Sequence, residues 1–266
     1  MVELAFMRLA LIASLAVGTT LGLLGVYLVM RRVVFLGLVL ANAATVGAAA
    51  AEVFAWSPEI ASVATAVAAA VGFGLIPRPR RVSDESLMGW AYAAASSAPV
   101  LILSAASAPD ADALHMLFGN VLAVRGSHTV GLVIVALGIG MAHVLFARRF
   151  LLVIFDADGA QVAGVNTRLW ALGLNLLIGV AAAAAVHEIG ALLTFALLTL
   201  PAMAALLVTT NMRTTFLTAA ALGATLPCLG LAVSFYFDLP AGPTSVALLA
   251  VSVLAAAAVG YLPASR

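Results

Sequence analysis

Four ionisable side chains, Glu52, His143, His187 and Glu188, lie within long apolar stretches of this 266-residue sequence. Charged or titratable groups are expensive to desolvate in such surroundings, and by default they mark function. Imidazole and carboxylate oxygen are both metal-ligand types. The spacing is less telling than the residue types. His187 and Glu188 are neighbours, so on a regular helix they point about 100° apart and form no natural chelate. At a helix break they can either converge or meet their symmetry mates. No His-Glu-x-x-His zinc motif occurs in the chain. Asn42, in a run of Ala, Val and Gly, adds a neutral amide that reads either as a hydrogen-bonding knob between helices or as a substrate contact.

The elements that must hold these groups follow from composition. Hydrophobic residues make up 65% of the chain, charged residues 9%, and mean hydropathy is +1.20. Soluble domains carry roughly 25% charge, so the expected class is all-α, a polytopic bundle of about eight or nine transmembrane helices in one domain, residues 1–266. The net charge of +1 argues against a nucleic-acid partner. Every basic residue is Arg, which excludes a phosphate-binding loop with its lysine. The chain therefore cannot hydrolyse ATP by that route, and no nucleophile or base constellation suggests another enzyme. The single Cys228 cannot form an intrachain disulfide and reads as a small packing residue.

A span needs roughly 20 apolar residues. Residues 4–30, 33–54, 59–76, 87–107, 129–147 and 216–236 qualify, as does a last run ending near Leu262. The first exceeds the roughly 7–15 apolar residues of a secretory signal and is expected to stay as a span. Leu169–Thr210 is long enough for two spans, with a tight turn or helix break at His187-Glu188-Ile189-Gly190. The segment from Pro109 to His128 is too mixed to span, and a short re-entrant or surface helix is expected around Leu114–Val124. With nine spans and the N-terminus outside, every Arg except Arg8 and Arg125 falls inside, as the positive-inside rule requires. That topology sets His187 and Glu188 near the outer face, where they read either as a functional pair or as solvated turn residues. Glu52 reads as interfacial, His143 as a hydrogen-bonded packing residue, and His115 and His128 as surface residues. The polar island Phe155–Asn166 lies on the cytoplasmic side, with Arg148-Arg149 before it and Arg168 after it. It reads as a connector with a short surface helix, built for docking or simply solvated.

Three ordered stretches carry a resemblance. They are Gly22-Leu23-Leu24-Gly25-Val26-Tyr27-Leu28-Val29-Met30-Arg31-Arg32-Val33-Val34-Phe35-Leu36-Gly37, the polar island ending Gly164-Val165-Asn166, and the pair Ala191–Ala202 with Ser234–Pro243. Asp84–Gly89 and Leu117–Val124 match more weakly. In this order, over nearly the whole chain, the sequence resembles the permease subunits of bacterial ABC importers for zinc, manganese or iron. The resemblance implies a homodimeric core in the inner membrane, multi-pass and in contact with lipid. It further implies a separate ABC ATPase that uses ATP on the cytoplasmic side, an extracytoplasmic substrate-binding protein, and no cofactor bound by this chain. The island, within a coupling segment of about 150–169, matches the family's coupling region, with Asp156, Gly159, Ala160 and Gly164 as the candidate ATPase contacts; the alternative is that its glycines only cap a helix.

One departure bears on substrate. After Phe-Leu-Gly the family usually reads Asp-Ala-Leu-Ser-His, its Asp and His four residues apart on one helix face. Here the same positions read Leu38-Val39-Leu40-Ala41-Asn42. Leu38 cannot bind a cation, and Asn42 offers only a neutral carbonyl oxygen, so the metal site cannot be carried over. Asn42, His187 and Glu188 are the remaining candidates for a transport path. The leading reading is a permease for a divalent metal or a metal chelate. The alternatives are an ion-coupled secondary carrier, disfavoured by the absence of a clear internal repeat, and a non-transporting scaffold of the same fold.

Overall fold

The computed structural model describes residues 5–75, 82–105 and 126–261. Within them the chain is entirely helical: α1 (Ala5–Met30), α2 (Val34–Phe54), α3 (Pro58–Leu75), α4 (Asp84–Ala105), α5 (Gly126–Phe155), α6 (Ala157–Val162), α7 (Thr167–Val208), α8 (Met212–Phe237) and α9 (Ala241–Tyr261). Eight of these helices are long and apolar enough to cross a membrane. The helix expected around Leu114–Val124, the Arg78–Arg81 cluster and His115 lie outside the described residues.

α7 is 42 residues long, about 63 Å if straight, twice the roughly 30 Å hydrocarbon core. It is not straight. Gly190 has φ 77° and ψ 164°, a conformation that is essentially glycine's alone. The contacts on either side show what this achieves. Before Gly190, α7 runs antiparallel to α3, with Arg168 at Gly74 and Leu75, and His187 at Ser62. Ala181 and Ala184 are level with Thr20 and Leu21 of α1. Beyond Gly190, Leu198 sits against Gly25, nearer the other end of α1. The chain has turned back on itself, so α7 supplies two spans, and the described residues make nine spans in all.

Small residues let the helices approach closely. A Cβ on Gly18 would stand 1.9 Å from the carbonyl oxygen of Gly223, and one on Gly22 would stand 2.5 Å from that of Ala219. This small-residue seam packs α1 on α8. Gly47 of α2 meets Ala61 of α3 in the same way, and Gly230 of α8 meets Ser245 of α9. The core is correspondingly rich in buried alanine, with Tyr27 the largest fully buried side chain.

Arginines gather at one end. Arg31 closes α1 and donates to Asn175 Oδ1 at 2.7 Å. Arg168 donates to the last carbonyls of α3, groups that a helix C-terminus leaves without partners. Arg149 lies over the Trp170 ring at 5.1 Å. This end carries α6, and it is the end that the positive-inside rule predicts to be cytoplasmic.

Candidate functional site

The reversal at Gly190 carries the buried polar groups. Glu188 is 7% exposed although it lies in a helix of otherwise apolar residues. His187, one residue earlier, pairs through Nε2 with Ser62 Oγ at 3.0 Å, and Ser62 is fully buried. His187 and Glu188 line a cavity of about 360 Å³ between α3, α5 and α7, whose other walls include Leu132, Val135 and Ala184. Glu59, exposed in the first turn of α3, lines the same cavity. The cavity therefore reaches the surface at the start of α3. Sequence reading passed over Glu59 and Ser62 because they stand at a span entrance, where an acidic residue is ordinary helix-dipole chemistry. No periodicity links them to His187 and Glu188, more than a hundred residues on in α7.

The helix break expected at 187–190 is present, but the neighbouring pair is not at a solvated tip. Glu188 is buried and His187 is half-buried, because the return strand of the hairpin packs back among α1, α2 and α9. Among the described residues, no three His, Cys, Asp or Glu side chains come together as a metal-binding group.

Asn42 does not line this cavity. It is 3% exposed, donates through Nδ2 to Leu38 O at 2.9 Å and accepts at Oδ1 from Ser96 Oγ at 3.3 Å. The bond from Ser96 ties α4 to α2. His143 shares a hydrogen bond with the buried Tyr27 hydroxyl at 2.8 Å and packs on Phe216, while Glu52 is exposed at the end of α2.

At the arginine-rich end the polar island forms α6, six residues long. Asp156 caps it by accepting the Gly159 N–H at 2.8 Å. A Cβ at Gly159 would stand 2.1 Å from the Asp156 carboxylate, so a side chain there would collide with the cap. At the other end Gly164 takes φ 78°, with Val165 N–H bonded to Ala160 O at 2.8 Å and Gly164 N–H to Gln161 O at 2.9 Å. This is a Schellman closure. Asn166 then caps α7 through Leu169 N–H at 3.1 Å, and Gln161 bonds Thr167 at 3.1 Å. Two caps of about 1 kcal/mol each and the Arg149–Trp170 contact hold the short helix rigidly between α5 and α7. Of the four coupling candidates, Ala160 is fully buried and anchors α6, Gly159 is half-buried, and Asp156 and Gly164 are exposed. Among the described large hydrophobic side chains Val162 is the most exposed, at 91%.

The family model for the ABC 3 transport family matches residues 3–260. The manganese transport system membrane protein MntC of Listeria innocua is 29% identical, over 92% of this chain and 88% of its own length. The manganese import system permease protein ScaB of Streptococcus gordonii is 26% identical, over 91% and 86% respectively. The solved structure of PsaBC from Streptococcus pneumoniae in complex with Fab superposes with a TM-score of 0.86 at 23% identity, covering 96% of this chain and 91% of that one; at that identity it bears on the fold. With nearly the whole length matched, this chain belongs to the ABC 3 transport family, as a multi-pass transmembrane permease subunit.

Proposed function

We propose that the chain is the permease of a divalent-metal importer, manganese foremost, acting as a homodimer. Two copies of a separate ATPase would dock at the arginine-rich end, and an extracytoplasmic binding protein would deliver substrate at the opposite end. The metal is suggested by the names of the relatives, among them the manganese transport proteins MntC and ScaB. The single observation that carries the machine is α6. A six-residue helix capped at both ends and bolted to α5 and α7, yet exposing Val162 and Asp156, is suited to passing ATPase movement into the span that reverses at Gly190.

The test is uptake of manganese by cells lacking this chain, complemented with the native chain or with Val162→Glu. Native complementation should restore manganese, while V162E should reach the membrane in normal amount and restore little. No change in manganese, zinc or iron on deletion would overturn metal import. Binding of an ATPase with no metal change would favour a chelate or another solute, the reading that Leu38 and Asn42 support. Uptake without any ATPase would point to an ion-coupled carrier, and neither binding nor uptake to a scaffold.

A further inference from the structure

We infer that the groove between α5 and α7 at the arginine-rich end is a binding site for an anionic phospholipid. The lipid's phosphate sits on Arg149 and Arg148, and one acyl chain lies against Phe146 and Trp170. The inference needs only that the chain spans a membrane; it does not rest on the importer reading above.

The groove follows from antiparallel packing. Ala142, Phe146 and Phe150 recur every four residues along one face of α5, and Trp170, Gly173 and Leu177 lie three and four apart on the first half of α7. Together they line a cavity of about 440 Å³ that is open along one side. Gly173 keeps it deep, since a Cβ there would meet nothing within 4 Å. Phe146 and Phe150 pack on Trp170 with ring centroids 5.3 and 5.5 Å apart, so the aromatic wall is preformed. α5 is the least buried of the eight long helices, which leaves this face to whatever surrounds the bundle.

Depth in the bilayer fits one leaflet. From Thr129, where the apolar span begins, to Arg148 is about 29 Å along the helix, close to the roughly 30 Å of the hydrocarbon core. Arg148 and Arg149 therefore stand at headgroup level, and Ala142 lies about 10 Å deeper, among acyl chains. Trp170 is level with Arg149, in the interfacial zone where tryptophan is enriched.

The charges complement a phosphate. Arg149 lies over the Trp170 ring at 5.1 Å. A guanidinium stacked on an aromatic face keeps its N–H edge for hydrogen bonding, and that edge matches phosphate bidentately. Arg148 and Arg149 are exposed, and among the described residues neither pairs with a carboxylate. Asp156, the next acidic residue along the chain, accepts the Gly159 N–H instead. Arg168 is engaged with the last carbonyls of α3. An apolar groove descending from two arginines suits a molecule with an anionic head and an apolar tail, and basic pockets between spans on the cytoplasmic side take anionic headgroups.

The experiment uses the full chain in phosphatidylcholine nanodiscs, with Trp56→Phe and Trp90→Phe leaving Trp170 as the only indole. Phosphatidylglycerol and phosphatidylcholine with matched, brominated acyl chains are the quenchers. At about fivefold per arginine near an anionic headgroup, phosphatidylglycerol should half-quench Trp170 at a mole fraction lower by about fivefold or more. A chain that keeps Trp90 alone, exposed on α4, should be quenched alike by both. Arg148→Gln with Arg149→Gln should bring the two lipids together at Trp170. Gly173→Leu, which fills the groove and keeps both arginines, should reduce the preference by removing the acyl seat. Equal quenching of Trp170 by the two lipids in the chain with both arginines would overturn the inference, with no arginine variant having to fold. Quenching by neither lipid would overturn it too, and would give this face to a second copy of the chain. A phosphatidylglycerol preference that survives in monodisperse R148Q/R149Q would do the same to the headgroup assignment.

Discussion

Replacing Gly190 by alanine tests the hairpin on which the whole site depends. At φ 77° and ψ 164°, a Cβ is forced into a region that non-glycine residues essentially do not occupy, at about 1–3 kcal/mol. The matched control is Gly173→Ala in the same helix. A Cβ there meets nothing within 4 Å, and alanine favours a helix over glycine by about 0.5–1 kcal/mol. The two variants should therefore differ by about 1.5–4 kcal/mol, with wild type between them. The assay is reversible unfolding of the purified chain in mixed micelles titrated with dodecyl sulfate, read by far-UV circular dichroism. G190A should unfold at lower detergent fraction than wild type, and G173A at the same or higher. If G190A stays within ~0.5 kcal/mol of wild type, Gly190 does not hold this conformation. The reversal, and with it the shared cavity of Glu59, His187 and Glu188, would be wrong.

Two further outcomes follow from close packing and capping. Gly18→Ala puts a Cβ 1.9 Å from the Gly223 carbonyl oxygen, and backbone cannot move aside as a side chain can. A loss of about 1–3 kcal/mol is expected, against little change for Gly138→Ala, where the space is open; thermal unfolding of the two in one detergent decides it. Asp156→Ala removes the cap on Gly159 N–H at about 0.5–2 kcal/mol, a large share of what holds a six-residue helix. Amide exchange over residues 157–163 should quicken while α8 is unaffected, and unchanged protection there would refute the rigid α6.

Much of this protein is legible in its sequence, because a bilayer leaves few options. Where water cannot satisfy backbone groups, long apolar runs must be helices. Arginine placement then orients them. The span count, the break before Ala191, the short helix in the polar island and the absence of a phosphate loop all follow from local composition. So does the loss of the α2 ligand pair, which is visible in Leu38 and Asn42 alone. The tertiary structure decided what depends on residues far apart in the chain. Glu59 joins His187 and Glu188 only because α3 and α7 pack antiparallel. Asn42 has both ends of its amide occupied because Ser96 is opposite. Ala160 turns inward, and Val162 outward, because α6 is pinned between α5 and α7. Apolar helices of Ala, Val and Leu are nearly alike on every face, so no hydrophobic stripe tells which side meets which neighbour. That choice is made by where glycine, alanine and serine let two backbones touch, and only the packed bundle brings those partners together.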